Sequence, residues 1–158
     1  MHRLPVAAVS VPAPEGGTVY PPPLDKVVAG RRKRKLGEFF GLSNFGVNLT
    51  TLQPGAASAL LHHHSRQDEL VYVLSGHPTL VLGEREYVLQ AGDCFGQAAG
   101  SGIGSQLVNR GDTEAVFLEV GDRAVGDQVE YPQDDLKAEQ LANGAWLITH
   151  KDGTPYAE

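Results

Sequence analysis

Between residues 45 and 120 the chain alternates apolar and polar positions in short stretches, broken repeatedly by Gly, Pro and Asp. Alternation with period two puts successive side chains on opposite faces of a half-buried strand. Strands are predicted over 45–52, 57–64, 69–74, 79–82, 86–89, 104–109 and 115–120. Turns fall at Gln53-Pro54-Gly55, Ser75-Gly76, Gly83, Ala91-Gly92-Asp93 and Arg110-Gly111-Asp112. The strands recur about every ten residues, which predicts an all-β sandwich or barrel. Residues 126–158 read as a tail that packs on the barrel, adding one edge strand over 145–149 and a short helix near 134–141. Residues 1–30 are rich in proline, including Pro12, Pro14, Pro21, Pro22 and Pro23, and read as an extended arm. The barrel itself is expected over 31–125.

A chain of 158 residues fits one domain with a real hydrophobic core. No apolar run approaches bilayer length, and the N-terminus lacks a secretory apolar stretch. The expected location is cytoplasmic, with no membrane partner. Cys94 is the only cysteine. It excludes an intrachain disulfide and reads as a small buried apolar residue.

The net charge of −6 is unevenly spread. Five of the thirteen basic residues form one run, Arg31-Arg32-Lys33-Arg34-Lys35. A basic run can bind nucleic acid. Here the acidic remainder of the chain would repel a polyanion, and no nucleic-acid-binding motif accompanies the run. An exposed linker, or an edge strand protected by charge, is the better reading.

The candidate chemistry lies at His62-His63-His64. On a strand His62 and His64 share a face and His63 takes the other. Glu69 opens the next predicted strand, and a hairpin can bring its carboxylate beside the two imidazoles. Two His nitrogens and a carboxylate suit zinc, iron, manganese or nickel. The same set matches the facial triad of non-haem iron enzymes. If Glu69 faces inward, Val71 and Val73 do too by parity. The pocket is then mainly aliphatic around a small polar centre, as small-molecule sites are.

Gly55, His62-His63-His64, Glu69 and Gly76 resemble the first motif of the cupin superfamily. Four residues separate His64 from Glu69 and six separate Glu69 from Gly76, as in that motif; the gap from Gly55 to His62 is one residue longer. Asp68-Glu69-Leu70-Val71-Tyr72-Val73-Leu74-Ser75-Gly76 looks like the bacterial form. The resemblance covers about residues 45–121. Features of the tail, such as Tyr131-Pro132, are similar to those of bacterial single-domain cupins of the conserved-barrel type, a subgroup without an assigned activity. It implies a cupin double-stranded β-helix, jelly-roll-like barrel, and by analogy a homodimer.

The second cupin motif is altered. Gly92, Ala98-Ala99-Gly100, Ser105 and Asn109 stand where the family has glycine, proline-x-glycine, histidine and asparagine. Ser105 takes the place of the last histidine ligand and is a poor metal ligand. Gln106 is the next candidate, but alternation puts it on the opposite face unless a bulge intervenes. The expected ligands are therefore His62, His64 and Glu69, with Ser105, Gln106, Val71 and Val73 as pocket residues. Three functional readings follow. The first is a barrel that binds a small molecule, with or without a divalent metal. The second is a metal-dependent enzyme of dioxygenase or isomerase type. The third is a regulatory or interaction module built on Arg31–Lys35.

Overall fold

A computed structural model describes residues 3–13 and 17–156; Pro14 of the arm lies outside the described residues. Among the described residues twelve strands carry the fold. They are β1 (Arg31–Lys35), β2 (Phe45–Leu52), β3 (His63–His64), β4 (Glu69–Ser75), β5 (Thr79–Leu82), β6 (Arg85–Val88), β7 (Cys94–Gln97), β8 (Ser105–Val108), β9 (Ala115–Asp122), β10 (Gln128–Glu130), β11 (Lys137–Gln140) and β12 (Trp146–Thr149).

One wall is a five-stranded antiparallel sheet in the order β1-β2-β9-β4-β7. The other joins two smaller sheets, β6-β5-β8 and β3-β10-β11-β12. Residues 57–62 link them through single bridges, Ala57 to Val108 and His62 to Ser105. The predicted strand over 57–64 is thus mostly irregular backbone that touches β8 at two points. The basic run is an edge strand, since among the described residues β1 pairs only with β2.

Register fixes which side chains meet inside. Cross-strand partners share a face. Lys35, Asn48, Glu119, Val71 and Phe95 form one inward row across the five strands. Gly46, Gly121, Glu69 and Gln97 form the neighbouring row. On the other side of the first row lie Lys33, Thr50, Phe117 and Val73, the last three fully buried. Phe117 joins Leu52, Ala56, Leu80 and Leu107 in the core beneath the site.

Gly76 shows why the first motif needs its last glycine. It sits at φ 78, and a Cβ there would stand 2.4 Å from Glu114 O. Only glycine takes that turn against β9 without strain.

Two further expectations are corrected. The tail holds three strands, and β11 occupies much of the stretch expected to be helical. Tertiary pairing overrides a weak local helical preference here: β11 is bonded on both sides, by β10 and β12. Cys94 is exposed. It is paired with Tyr72, which is 43% exposed, on the outer face of the wall.

The arm and tail build a second core. Tyr20 and Val28 of the arm pack with Leu60, Val129, Tyr131, Leu136 and Ala138, and Trp146 leans on this cluster. The arm is mostly extended, with short 3-10 turns at Ala8–Ser10 and Leu24–Val28.

Candidate metal centre

Both walls contribute to one cluster. His62 sits opposite Ser105, with Ser105 N donating to His62 O at 2.8 Å and His62 N to Ser105 O at 3.3 Å. His64 follows on β3, paired with Val129 of β10. Parity turns the His62 and His64 rings into the cavity, their centroids 5.2 Å apart. His63 faces away, its Nε2 3.6 Å from Glu130. Glu69 enters from the opposite wall as the first residue of β4.

Each ring is held from behind. His62 Nδ1 lies 2.7 Å from Leu60 O, and His64 Nδ1 lies 2.5 Å from Asp127 Oδ2. A carbonyl and a carboxylate only accept, so both Nδ1 atoms carry hydrogen. Nε2 is then the position at which proton or metal binds. The two Nε2 atoms address different oxygens of Glu69, at 3.4 Å for His64 and 3.9 Å for His62. Asp127 is fully buried and also accepts from Ser65 Oγ at 3.2 Å and Arg66 N at 2.8 Å. Three donors fix that carboxylate, which in turn fixes the ring.

The electrostatics follow from this layout. Burial alone would lower the His64 pKa, but hydrogen bonds and charge from Glu69 and Asp127 raise it to about 9. Burial would raise Glu69, yet the His64 hydrogen bond and the charges of both histidines and Lys33 bring it down to about 2. His62 is lowered by burial and by the His64 charge, against the opposing pull of Glu69. Without metal the cluster is therefore an ion pair, Glu69 with His64.

The donors fit a metal. One ligand atom from each of His62, His64 and Glu69 lies within 4.8 Å of the others. A tetrahedral site with bonds of about 2.1 Å has donor–donor edges of about 3.4 Å. The His64–Glu69 separation already has that length; the remaining donor separations, none above 4.8 Å, are within about 1.4 Å of it.

Ser105 offers nothing further. Its Oγ donates to Gln97 Oε1 at 2.6 Å. The Gln97 amide donates to Ser101 Oγ at 2.8 Å and to Ile103 O. Gln97 is the cross-strand partner of Glu69, so this amide fills the wall beside the carboxylate. Gln106 also borders the cavity, as do Val71 and Leu107. Val73 lies a row deeper, fully buried against Phe117.

The cavity has a volume of about 380 Å³. Tyr131 stacks on His62 with centroids 5.7 Å apart, and Tyr20 of the arm meets Tyr131 edge-on at 5.8 Å. Burial, then the Tyr20 hydroxyl and nearby carboxylates, push the Tyr131 pKa well up, so its hydroxyl stays protonated. Sequence reasoning missed Asp127, Tyr131, Tyr20 and Gln97. A period-two signal was present for two of them: Asp127 and Tyr131, on either side of β10, alternate inward with Val129.

The comparisons with known proteins agree with this fold. The cupin domain family model matches residues 48–121. A solved structure titled as a sugar phosphate isomerase from a cupin superfamily, from Silicibacter pomeroyi DSS-3, is 40% identical. It covers 98% of this chain and 97% of that one, with a TM-score of 0.89. The chain belongs to the cupin superfamily. A second cupin-like structure, of a protein proposed to be a sugar phosphate isomerase from Acidithiobacillus ferrooxidans, is 30% identical. It covers 81% of each chain, with a TM-score of 0.71. A polyketide cyclase from Streptomyces resistomycificus shares the cupin fold at 21% identity and a TM-score of 0.62, over 76% of this chain and 79% of that one. No curated protein matches the chain. Among the described residues no helix is long and apolar enough to cross a membrane.

Proposed function

We propose that this cupin is a metal-dependent isomerase of a phosphorylated sugar. The observation that carries the reading is the convergence of His62 Nε2 and His64 Nε2 on the two oxygens of Glu69, each ring fixed from behind. Relatives at 40% and 30% identity whose titles name sugar phosphate isomerases support the choice of reaction. His62, His64 and Glu69 would hold zinc, iron, manganese or nickel. A divalent ion bound there supplies Lewis acidity for a carbonyl and its neighbouring hydroxyl.

The chain's own residues do the rest. Isomerisation moves one hydrogen between adjacent carbons with no net oxidation. Tyr131, held protonated beside His62, is a donor rather than a base. Gln97 and Ser105 set a polar wall beside Glu69 suited to a hydroxylated ligand. The arm 1–30 and tail 126–158 serve the barrel 31–125 as further cavity walls, through Tyr20, Tyr131 and Trp146.

The test is to load the chelated protein with each metal in turn and follow sugar phosphate interconversion in heavy water. Metal-dependent interconversion is the expected result, with deuterium at the carbon next to the carbonyl if the hydrogen moves as a proton and none if it moves as a hydride. Stoichiometric metal binding with no interconversion of any sugar phosphate would leave a non-catalytic binding barrel.

The protein acts, in this reading, as a cytoplasmic homodimer. Leu70, Tyr72 and Leu74 are each over two-fifths exposed on the outer face of the five-stranded wall, a surface suited to a second copy. The exposed Cys94 thiol on the same face suits a reducing compartment. Leu70→Glu with Leu74→Glu should give a monomer by light scattering.

A further inference from the structure

The metal reading gives the basic strand β1 no task. Parity divides its five side chains. Arg32 is exposed and Arg34 reaches back to the arm, donating to Val11 O at 3.2 Å. Arg31, Lys33 and Lys35 line the cavity. Two of these three are already engaged. Arg31 donates to Ser58 O at 2.6 Å and to Gly17 O at 3.2 Å, tying the arm down. Lys33 Nζ lies 2.9 Å from Glu119 Oε2, which also accepts from Thr50 Oγ1 at 2.8 Å.

Lys35 remains, and Arg123 joins it at the cavity mouth. Gly46 makes this possible. A Cβ on Gly46 would stand 2.7 Å from Arg123 Nη2, so the guanidinium occupies the place of the missing side chain. Gly46, Gly121 and Glu69 are successive partners in one row. At a strand spacing of about 4.8 Å, the guanidinium stands about 10 Å across the mouth from Glu69. Gly121, between them, adds no side chain to the floor, where a Cβ would stand 3.3 Å from Asp68 O. A monosaccharide with a terminal phosphate spans such a gap.

The local charge is unbalanced. Lys35 and Arg123 share a single carboxylate, Glu38, at 3.3 Å and 4.0 Å, and Glu38 is exposed. Glu119 is matched by Lys33. Asp122 is turned back on its own chain and accepts from Ala124 N at 3.1 Å. Two cations thus face the mouth against one displaceable acid, in a chain of net charge −6. A guanidinium fork with an adjacent ammonium is a pairing suited to a phosphate dianion.

We propose that Lys35 and Arg123 form an anion subsite for the phosphate group of the substrate, with Glu38 as its resident competitor. The identity of the anion rests on the sugar phosphate reading; the subsite itself rests on the cation geometry.

The test uses inorganic phosphate, titrated calorimetrically into full-length protein kept metal-free with chelator. The parent should bind phosphate, more weakly as salt rises. Lys35→Met with Arg123→Gln should lose about tenfold or more in affinity, as two charge-assisted contacts are removed. Glu38→Gln should tighten binding, an effect that a purely structural role for Glu38 would not produce. Arg32→Gln, on the outer face, should bind as the parent does. No phosphate binding by the parent, an unchanged double variant, or weaker binding by Glu38→Gln would each overturn the subsite. Metal titration of the same protein separates the two ideas. Phosphate binding without metal binding keeps the subsite and ends the isomerase reading, and the reverse result does the opposite.

Discussion

The two sides of the metal cluster spend their hydrogen bonds differently. On the His62–His64 side every bond runs backward, to Leu60 O and Asp127, and the Nε2 atoms are left aimed at the cavity. On the Ser105–Gln97 side the bonds run between the groups themselves, hydroxyl to amide and amide to the following loop. The first side is organised to receive a ligand atom; the second is already satisfied. Under the proposed function, this difference would make a three-ligand site with an open position, which is what catalytic metal sites use. Ser105 leaves no unpaired gap there, because its hydroxyl is already bonded to Gln97.

The largest test of that contrast removes a support on each side in turn. Asp127→Asn should lower metal affinity 10–100-fold, the usual cost of losing a carboxylate behind a ligating histidine. It should also cost about 1–3 kcal/mol of stability, since an amide cannot satisfy all three donors now on the carboxylate. Ser105→Ala should leave metal affinity unchanged. Zinc titration against a competing chelator measures both. Equal losses in the two variants would break the contrast.

Restoring the missing ligand is the next largest effect. In Ser105→His the new side chain points inward, because Ser105 is buried at 9% exposure opposite His62. It must displace the Gln97 amide to reach the metal. Affinity should rise by about tenfold, comparable to the worth of one good supporting partner. Unchanged affinity would mean that the inward register of β8 does not bring residue 105 within reach.

The third test reads the His64–Glu69 ion pair through pH in chelated protein. The His64 pKa is raised to about 9 from 6.5, so its contribution is complete below about 6.5 and is lost as pH rises through 9. The Glu69 pKa is lowered to about 2 from 4.5, so its contribution is complete above about 4.5 and is lost as pH falls through 2. His62, lowered from 6.5, works against stability on the acid side. The thermal midpoint should fall from pH 6.5 to 9, and in Asp127→Asn that fall should be complete at a lower pH. Calorimetry across this range checks the order of the two curves.

Much of the left-hand side of this comparison was legible in the sequence. His62, His64, Glu69 and Gly76 follow from parity and from motif spacing within one stretch of chain. Asp127 was not, because its partner His64 is 63 residues away and only β10–β3 pairing brings them together. Gln97 was hidden for the same reason, being the partner of Glu69 across β4 and β7. The basic run was legible as an exposed linker or an edge strand, and it is the edge strand. Its inward half was not, since which alternate residues face in depends on the register with β2. The helix expected in the tail failed because β11 is claimed by strands on both sides.

The finest distinction is whether Gln97 only holds Ser105 or also serves the metal. Gln97→Ala would leave the Ser105 hydroxyl, which is nearly buried, without its acceptor. The cost should be about 1 kcal/mol. In a chain of this length that lowers the melting temperature by about 2–4 °C. If the amide only holds Ser105, metal affinity stays unchanged, because His62, His64 and Glu69 keep their own supports. If Gln97 Oε1 turns from Ser105 to a bound metal, it acts as a fourth ligand, and affinity falls with the melting temperature. Zinc titration and calorimetry on the one variant therefore decide between three ligands with an open position and four ligands with none.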